Sequence, residues 1–428
     1  MVTHKDEYKG KIMLNRVDTF FSRTDLSKSS ERKKGLTLFE NVQFIYELVL
    51  AGMELKALGA DFEAKQGLRE FDIKNESDIL SGQLLKRVAY FNKINGNLTD
   101  YAYITQMNVT GSVNQYLTHW IYPYKGKFHP QMVRALINIL GLKRGDTLLD
   151  PFMGSGTTAV EGQLLGINVE GTDVSPLSVL ISKVKTDSMG VLEKIIENQS
   201  SIIDALNLLK PQSDVLDLAI DDIIDEKVKN FYKLAKMVAI SDNARREREF
   251  IESFKRNLNL MLDSIKNYAC VTDKLKLTLG ETHLTNGDAR RLNLGDCSVD
   301  GIVTSPPYSI ALDYVSNDTH SLEALGLDTT KIRDEFIGVR GVGPERLSLY
   351  NGDMAASLKE MYRVLKNGRT IAIVIGNATY RGQEIRTIEY IQKIAKKFGF
   401  VEVDNISKII FGLYNIMKNE SILLLKKE

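Results

Sequence analysis

The stretch that most constrains this chain runs from Asp146 to Asp173. A strand from Asp146 ends in Asp150, the turn Asp150-Pro151-Phe152-Met153-Gly154-Ser155-Gly156-Thr157-Thr158 follows, a helical pattern reaches Leu165, and a second strand spans Asn168 to Asp173. Strand, glycine turn, helix and strand make a βαβ unit, which commits the chain to a parallel sheet with helices against its faces. Gly154 and Gly156 remove the side chains that would block a ligand, just where Thr157 and Thr158 open the helix. Such a turn can cradle a nucleotide. There is no Gly-Lys-Ser/Thr of a phosphate loop, and Ala159 stands where a dinucleotide fingerprint has its third glycine. A phosphate-free ligand is therefore favoured. Asp173 closes the second strand at the spacing where a carboxylate accepts hydrogen bonds from ribose hydroxyls.

The same texture returns near Lys274. A mostly apolar run, Val299 to Val303, reads as a strand that delivers Thr304-Ser305-Pro306-Pro307-Tyr308 to the edge of a sheet. A strand at Thr370 to Ile375, a helix from Arg386 to Phe398 and a closing pair at Val401 to Ile410 and Ser421 to Leu425 follow. One sheet is expected to join both blocks. Between them, from about Gly190 to Ala269, Leu192, Ile195, Ile196, Ile202, Ile203, Leu206 and Leu209 recur mostly at helical spacing. Residues 1–115 mix charged runs such as Glu31-Arg32-Lys33-Lys34 with a helix-period segment around Val42 to Leu58. The expected organisation is a mostly helical region over 1–115, a catalytic domain in two parts over 116–189 and 274–428, and a helical insertion over 190–273. The fold class is α/β, a Rossmann-like sheet with helical additions.

These two motifs together resemble the cofactor and catalytic motifs of the S-adenosylmethionine-dependent DNA amino-methyltransferases. The serine that opens the tetrapeptide resembles the N4-cytosine branch. The resemblance covers roughly residues 116–185 and 280–428. It implies S-adenosyl-L-methionine as cofactor, with Gly154, Ser155, Gly156 and Thr157 beside its methionine part, Phe152 packed near it, Asp150 helping to hold its cationic end and Asp173 on its ribose. Lys125-Gly126-Lys127-Phe128-His129-Pro130-Gln131 resembles the motif that closes over the methionine carboxylate, which brings in Lys127 and Phe128; it is equally what a plain helix entry looks like. Asn286-Gly287-Asp288-Ala289-Arg290 resembles the motif whose acidic residue bonds the adenine amino group, here Asp288, although an Asp after Gly is by default a turn former. Thr304 completes the cofactor set.

An exocyclic amine is a poor nucleophile because its lone pair is delocalised into the ring, so a site must orient it with acceptors. By the resemblance, the Ser305 hydroxyl and the Pro306 carbonyl accept the two amine hydrogens, Pro306 and Pro307 fix the backbone, and Tyr308 stacks on a base flipped out of double-stranded DNA. Ring methylation at cytosine C5 needs a Pro-Cys pair, and Cys270 and Cys297 stand in Ala-Cys-Val and Asp-Cys-Ser. The rival readings are adenine N6 methylation by the same geometry, guanine N2 methylation of RNA, and a nucleic-acid-binding protein that retains the fold without catalysis.

The remaining features bound the reading loosely. The 428 residues are 43% apolar and 26% charged, with a net charge of +1 that neither requires nor excludes a nucleic-acid partner. Two cysteines and five scattered histidines suggest no disulfide framework and no metal site. With no apolar run of membrane length or signal segment, the expected setting is cytoplasmic with no membrane partner. The family implies a restriction-modification role with a cognate restriction endonuclease. Arg333, Arg340 and Arg346 read either as phosphate contacts or as solvated charges, and Arg245-Arg246-Glu247-Arg248-Glu249 reads as a salt-bridged helix face.

Overall fold

The computed structural model describes residues 35–65, 67–208, 215–308, 313–341, 343–380, 383–411 and 417–428. The charged run Glu31–Lys34, Leu209 of the helical pattern and the segment starting at Ala311-Leu312 lie outside the described residues in whole or in part.

Residues 36–98 form a first sheet from β1 (Leu36–Leu38), β2 (Phe62–Ala64), β3 (Glu70–Ile73), β4 (Phe91–Ile94) and β5 (Asn97–Leu98), in the order β2-β3-β1-β4-β5. The region expected to be mostly helical is thus built on a small antiparallel sheet, with the helices Ile45–Ala57 and Asp78–Arg87 beside it. Strands of two to four residues are too short to display a period of two, while the 13-residue helix announces itself.

The second sheet has seven strands: β6 (Thr147–Asp150), β7 (Asn168–Asp173), β8 (Thr282–Asn286), β9 (Gly301–Thr304), β10 (Thr370–Gly376), β13 (Phe400–Phe411) and β14 (Met417–Lys427). A separate hairpin is made by β11 (Ala378–Tyr380) and β12 (Gln383–Ile385). The order β13-β14-β10-β9-β6-β7-β8 joins both α/β blocks in one sheet, as expected. Strands β6 to β10 pair in parallel, and β14 runs antiparallel between β10 and β13.

Alternation along these strands explains why the sheet is buried on both faces. Leu148, Val303, Ala372 and Leu424 face one core, which also takes in the Pro130–Ile139 helix and the first sheet. Their neighbours Leu149, Ile302, Ile373 and Leu423 face the other, against the helices Gly343–Val364 and Thr387–Lys397. The helices Leu192–Asn207, Val215–Asp221, Glu226–Arg246 and Phe250–Lys274 occupy the expected insertion. They share a third core with the helices Pro176–Asp187 and Tyr314–Ala324.

Chain order reverses at β6, because β7 and β8 extend to one side of it and β9 and β10 to the other. A crevice opens beyond the carboxyl ends of strands at such a switch point. Asp150 ends β6 and Thr304 ends β9, so both motifs read from the sequence lie at its mouth.

Candidate active site

The glycine turn after β6 is tied down on every side. The Gly154 N–H donates to Asp173 Oδ2 at 2.8 Å, and the Ser175 N–H donates to Asp173 Oδ1 at 2.9 Å. Ser182 Oγ donates to the Gly154 carbonyl at 3.1 Å and Lys185 Nζ to the Ser155 carbonyl at 2.7 Å. Burial pushes the Asp173 carboxyl up to about 6 and holds the Lys185 ammonium well below its usual range. Gly154 and Gly156 have φ of +51° and +76°, which an L side chain adopts at a cost. A Cβ on Gly156 would sit 2.6 Å from Ser182 Oγ, so this glycine is required by the packing of two helices. A Cβ on Gly154 would meet the Tyr124 ring at 3.2 Å, on the cleft side.

The crevice holds a cleft between the glycine turn and the Ser305-Pro307 step. Of the residues singled out from the sequence, Lys127, Phe128, Phe152, Gly154, Ser155, Thr157, Asp173, Asp288, Ser305 and Pro307 line it. Asp150, Gly156, Thr304, Pro306 and Tyr308 are not among its lining residues. Asp150 is only 2% exposed, accepts from Thr304 Oγ1 at 2.6 Å and from the Phe152 N–H at 3.2 Å, and is pushed up to about 6 by burial. It braces the two motifs from behind. Burial, with Glu420 beside it, pushes the Tyr308 hydroxyl well above its usual range, Ser305 lies next to the same hydroxyl, and the ring packs against the sheet core. Asp288 faces the cleft with its carboxylate already held by Arg290, through Nε at 2.9 Å to each oxygen; that partner outweighs burial and lowers its pKa.

Ser305 Oγ donates to the Val374 carbonyl at 3.0 Å. With its hydrogen on that carbonyl the oxygen can accept, and the Tyr308 hydroxyl lies beside it. The Tyr350 hydroxyl donates to the Pro307 carbonyl at 3.0 Å and fixes the end of the Pro-Pro step. Lys127, half-buried at the opposite wall, donates to the His119 carbonyl at 2.5 Å, and burial lowers its pKa to about 8.

One wall had no motif to announce it. Tyr124, Tyr314 and Phe336 line the cleft as near-parallel rings: Tyr314 lies 5.7 Å from Phe336 at 20° and 6.4 Å from Tyr124 at 25°. They come from three separate segments, and only their aromatic character marks them in the sequence. The three arginines weighed as phosphate contacts are bonded within the protein. Arg333 donates to Asp313 and Ser316, Arg340 to Asp353, and Arg346 to the Gly338 carbonyl. Arg245 donates to the Pro123 and Asn317 carbonyls and to Asp318, while Arg246 and Arg248 pair with Asp242.

The residues present fit a polar, non-phosphate ligand. The Thr157 hydroxyl is buried at the cleft with no partner among the described residues, backbone approach is kept open at Gly154, and Lys127 supplies a cation for a carboxylate. A family model described as an RMKL-like methyltransferase domain (UPF0020) matches residues 121–237, which include the glycine turn and β7. The match is to a methyltransferase domain. The cofactor it supports is S-adenosylmethionine.

Several relatives are Type II methyltransferases, two of which illustrate the likeness. M.MjaII of Methanocaldococcus jannaschii is 34% identical over 36% of this chain and 29% of its own length. M.BsoBI of Geobacillus stearothermophilus is 27% identical over 52% of this chain and 55% of its own. A tRNA (guanine(10)-N2)-dimethyltransferase of Methanothermobacter thermautotrophicus is 29% identical over 32% of this chain and 36% of its own. The chain thus spans less than two thirds of each of these relatives. No helix among the described residues is long and apolar enough to cross a membrane.

Proposed function

We propose that this chain is a DNA methyltransferase that methylates the exocyclic N4 amine of a cytosine flipped out of double-stranded DNA, using S-adenosyl-L-methionine. The observation that carries the reading is the state of Ser305: its hydroxyl hydrogen is committed to the Val374 carbonyl, and it lines the same cleft as the glycine turn. An acceptor-only hydroxyl at that place suits a substrate that donates, as an amine does, and disfavours a ring carbonyl.

The roles follow from that cleft. Gly154 and Ser155 would present their backbone to the methionine part of the cofactor, Lys127 its carboxylate partner, Thr157 a free hydroxyl, and Asp173 and Asp288 acceptors for ribose and adenine. When bound, the cofactor supplies an electrophilic methyl group on a sulfonium. Of the two acceptors the resemblance implies, Ser305 lines the cleft and would accept an amine hydrogen and turn the lone pair toward that methyl, while the Pro306 carbonyl belongs to a buried residue outside the lining. Pro307, held by Tyr350, keeps the acceptors aimed. The amine loses its extra proton after transfer, so no strong base is needed. The fit of an oriented amine supports adenine N6 as well, and the Type II methyltransferase relatives support a modification enzyme working beside a cognate restriction endonuclease.

A second reading, guanine N2 methylation of RNA, is favoured by the tRNA (guanine(10)-N2)-dimethyltransferase relative. One experiment separates them: purified protein is incubated with labelled S-adenosylmethionine and unmethylated genomic DNA or total RNA, and the nucleosides are analysed by mass spectrometry. N4-methyldeoxycytidine is the expected product. N6-methyldeoxyadenosine would overturn the base assignment, and label confined to RNA would sink the DNA reading.

A further inference from the structure

We propose that Lys185 is a positioning residue for the cofactor, a buried cation behind the glycine turn whose counter-charge is the carboxylate of bound S-adenosylmethionine. The inference rests on the reading that the methionine part of the cofactor lies against that turn. Lys185 is 1% exposed and its Nζ donates to the Ser155 carbonyl at 2.7 Å. No carboxylate pairs with it among the described residues, and the charged group that bears on it, Lys127, has the same sign. The buried carboxylates around the turn are engaged elsewhere. Asp173 accepts the N–H groups of Gly154 and Ser175, and Glu161 holds Tyr116, His119 and Arg134.

A buried ammonium with no anion beside it is costly to fold around. Sequences keep such a local conflict where function needs it, and a ligand that supplies the anion relieves it. The geometry says where that anion would sit. Ser182 and Lys185 stand three apart on one face of the helix Pro176–Asp187 and take the carbonyls of Gly154 and Ser155 in succession. The peptide groups are trans, so with the Gly154 carbonyl drawn to this helix the Ser155 N–H points away from it. Ser155 lines the cleft, as does Lys127, whose Nζ donates to the His119 carbonyl and pairs with no carboxylate among the described residues. An anion at this wall would meet Lys127 directly and have Lys185 behind the Ser155 carbonyl. Lys185 does not line the cleft, so it acts on the ligand through that peptide and through its field, which carries far in a site closed to water.

The test uses the whole chain and reads calorimetric affinity for two ligands, S-adenosylmethionine and its decarboxylated analogue, which differ only in the group that Lys185 is proposed to balance. Thermal melts without ligand check that each variant is folded at the titration temperature. Lys185→Met nearly keeps the volume of the side chain and removes the charge. It is expected to weaken S-adenosylmethionine binding about tenfold while changing affinity for the analogue by less than about threefold, the pattern of a charge acting across one peptide. Lys185→Gln, which keeps an uncharged donor, carries the same expectation should the methionine variant not fold. A lysine that served the shape of the turn alone would weaken both ligands alike.

Equal weakening of the two ligands, or an unchanged affinity for S-adenosylmethionine in both variants, would overturn the assignment. Wild-type protein that binds the two ligands equally well would overturn it too, since the carboxylate would then have no seat, and would leave the cofactor reading in place. Wild-type protein that binds neither ligand would instead remove the cofactor reading, and this inference with it.

Discussion

Thr304 donates its hydroxyl to the Asp150 carboxylate at 2.6 Å, joining the ends of adjacent strands 154 residues apart in the chain. The same Asp150 oxygen accepts the Phe152 N–H, so one buried carboxylate sets both the start of the glycine turn and the residue before Ser305. The spacing between the two halves of the proposed site is therefore a property of this pair. Thr304→Val keeps the volume and removes the donor, leaving a buried acceptor short of a partner. We expect a loss of about 1–3 kcal/mol in unfolding free energy, with a fall in methyl transfer, while Thr304→Ser retains both. Denaturant titration beside a transfer assay measures them; equal stability in the valine variant would show that the bond does not bind the strands together.

The burial of Asp150 gives a second expectation with a definite sign. Its folded pKa, about 6, lies above the unfolded value of 3.8, so the charged form is penalised by folding. That penalty is full above pH 6 and is relieved as pH falls through 6 toward 3.8. Asp150→Asn does not titrate. The stability of wild type relative to this variant should therefore rise by about 1 kcal/mol between pH 8 and pH 5. A relative stability that falls on acidification would mean the carboxyl is held charged by something in the fold.

What was legible in the sequence follows from which forces act locally. The strand Gly301–Thr304 stands out because a strand buried on both faces reads as a short apolar run, whereas Asn168–Asp173, whose burial alternates, is marked by its place after the glycine turn and helix. The helical insertion showed its period plainly. The first sheet did not, since its strands are too short for alternation to register. At the site, residues within one motif were readable and meetings between distant segments were not. Gly156 looked like a ligand-facing glycine until Ser182 proved to be its neighbour, and Tyr308 looked free until Glu420 appeared beside it. Tyr124, Tyr314 and Phe336 share no spacing at all, because only the tertiary fold stacks them.

Gly156 accordingly makes a prediction about packing. Gly156→Ala must adopt φ +76° and push a methyl to 2.6 Å from Ser182 Oγ, with the Ser182 Cα at 3.0 Å behind it. The left-handed backbone and the overpacking together should cost about 2–4 kcal/mol. Ser182→Gly in the same chain should recover only part of that, since the backbone strain remains. Thermal melts of wild type and the two variants test the point, and a Gly156→Ala protein as stable as wild type would refute the packing role.

In the proposed site, Lys127 would link the electrostatics of the cleft to cofactor binding. Burial lowers its pKa to about 8, so the free protein carries the ammonium below that pH and loses it above. If the ammonium receives the carboxylate of S-adenosylmethionine, affinity should be level below pH 8 and decline above it, approaching about tenfold per pH unit. An α-amino group such as the ligand's own titrates in the same range, so the comparison with Lys127→Met carries the test. That variant should bind about ten- to a hundredfold more weakly at pH 7, the loss of one charge-assisted hydrogen bond, with the gap to wild type closing as pH rises to 9.5. Calorimetric titrations across this range read both quantities. A gap that stays constant with pH would mean that Lys127 serves only to hold the His119 carbonyl and the loop above it.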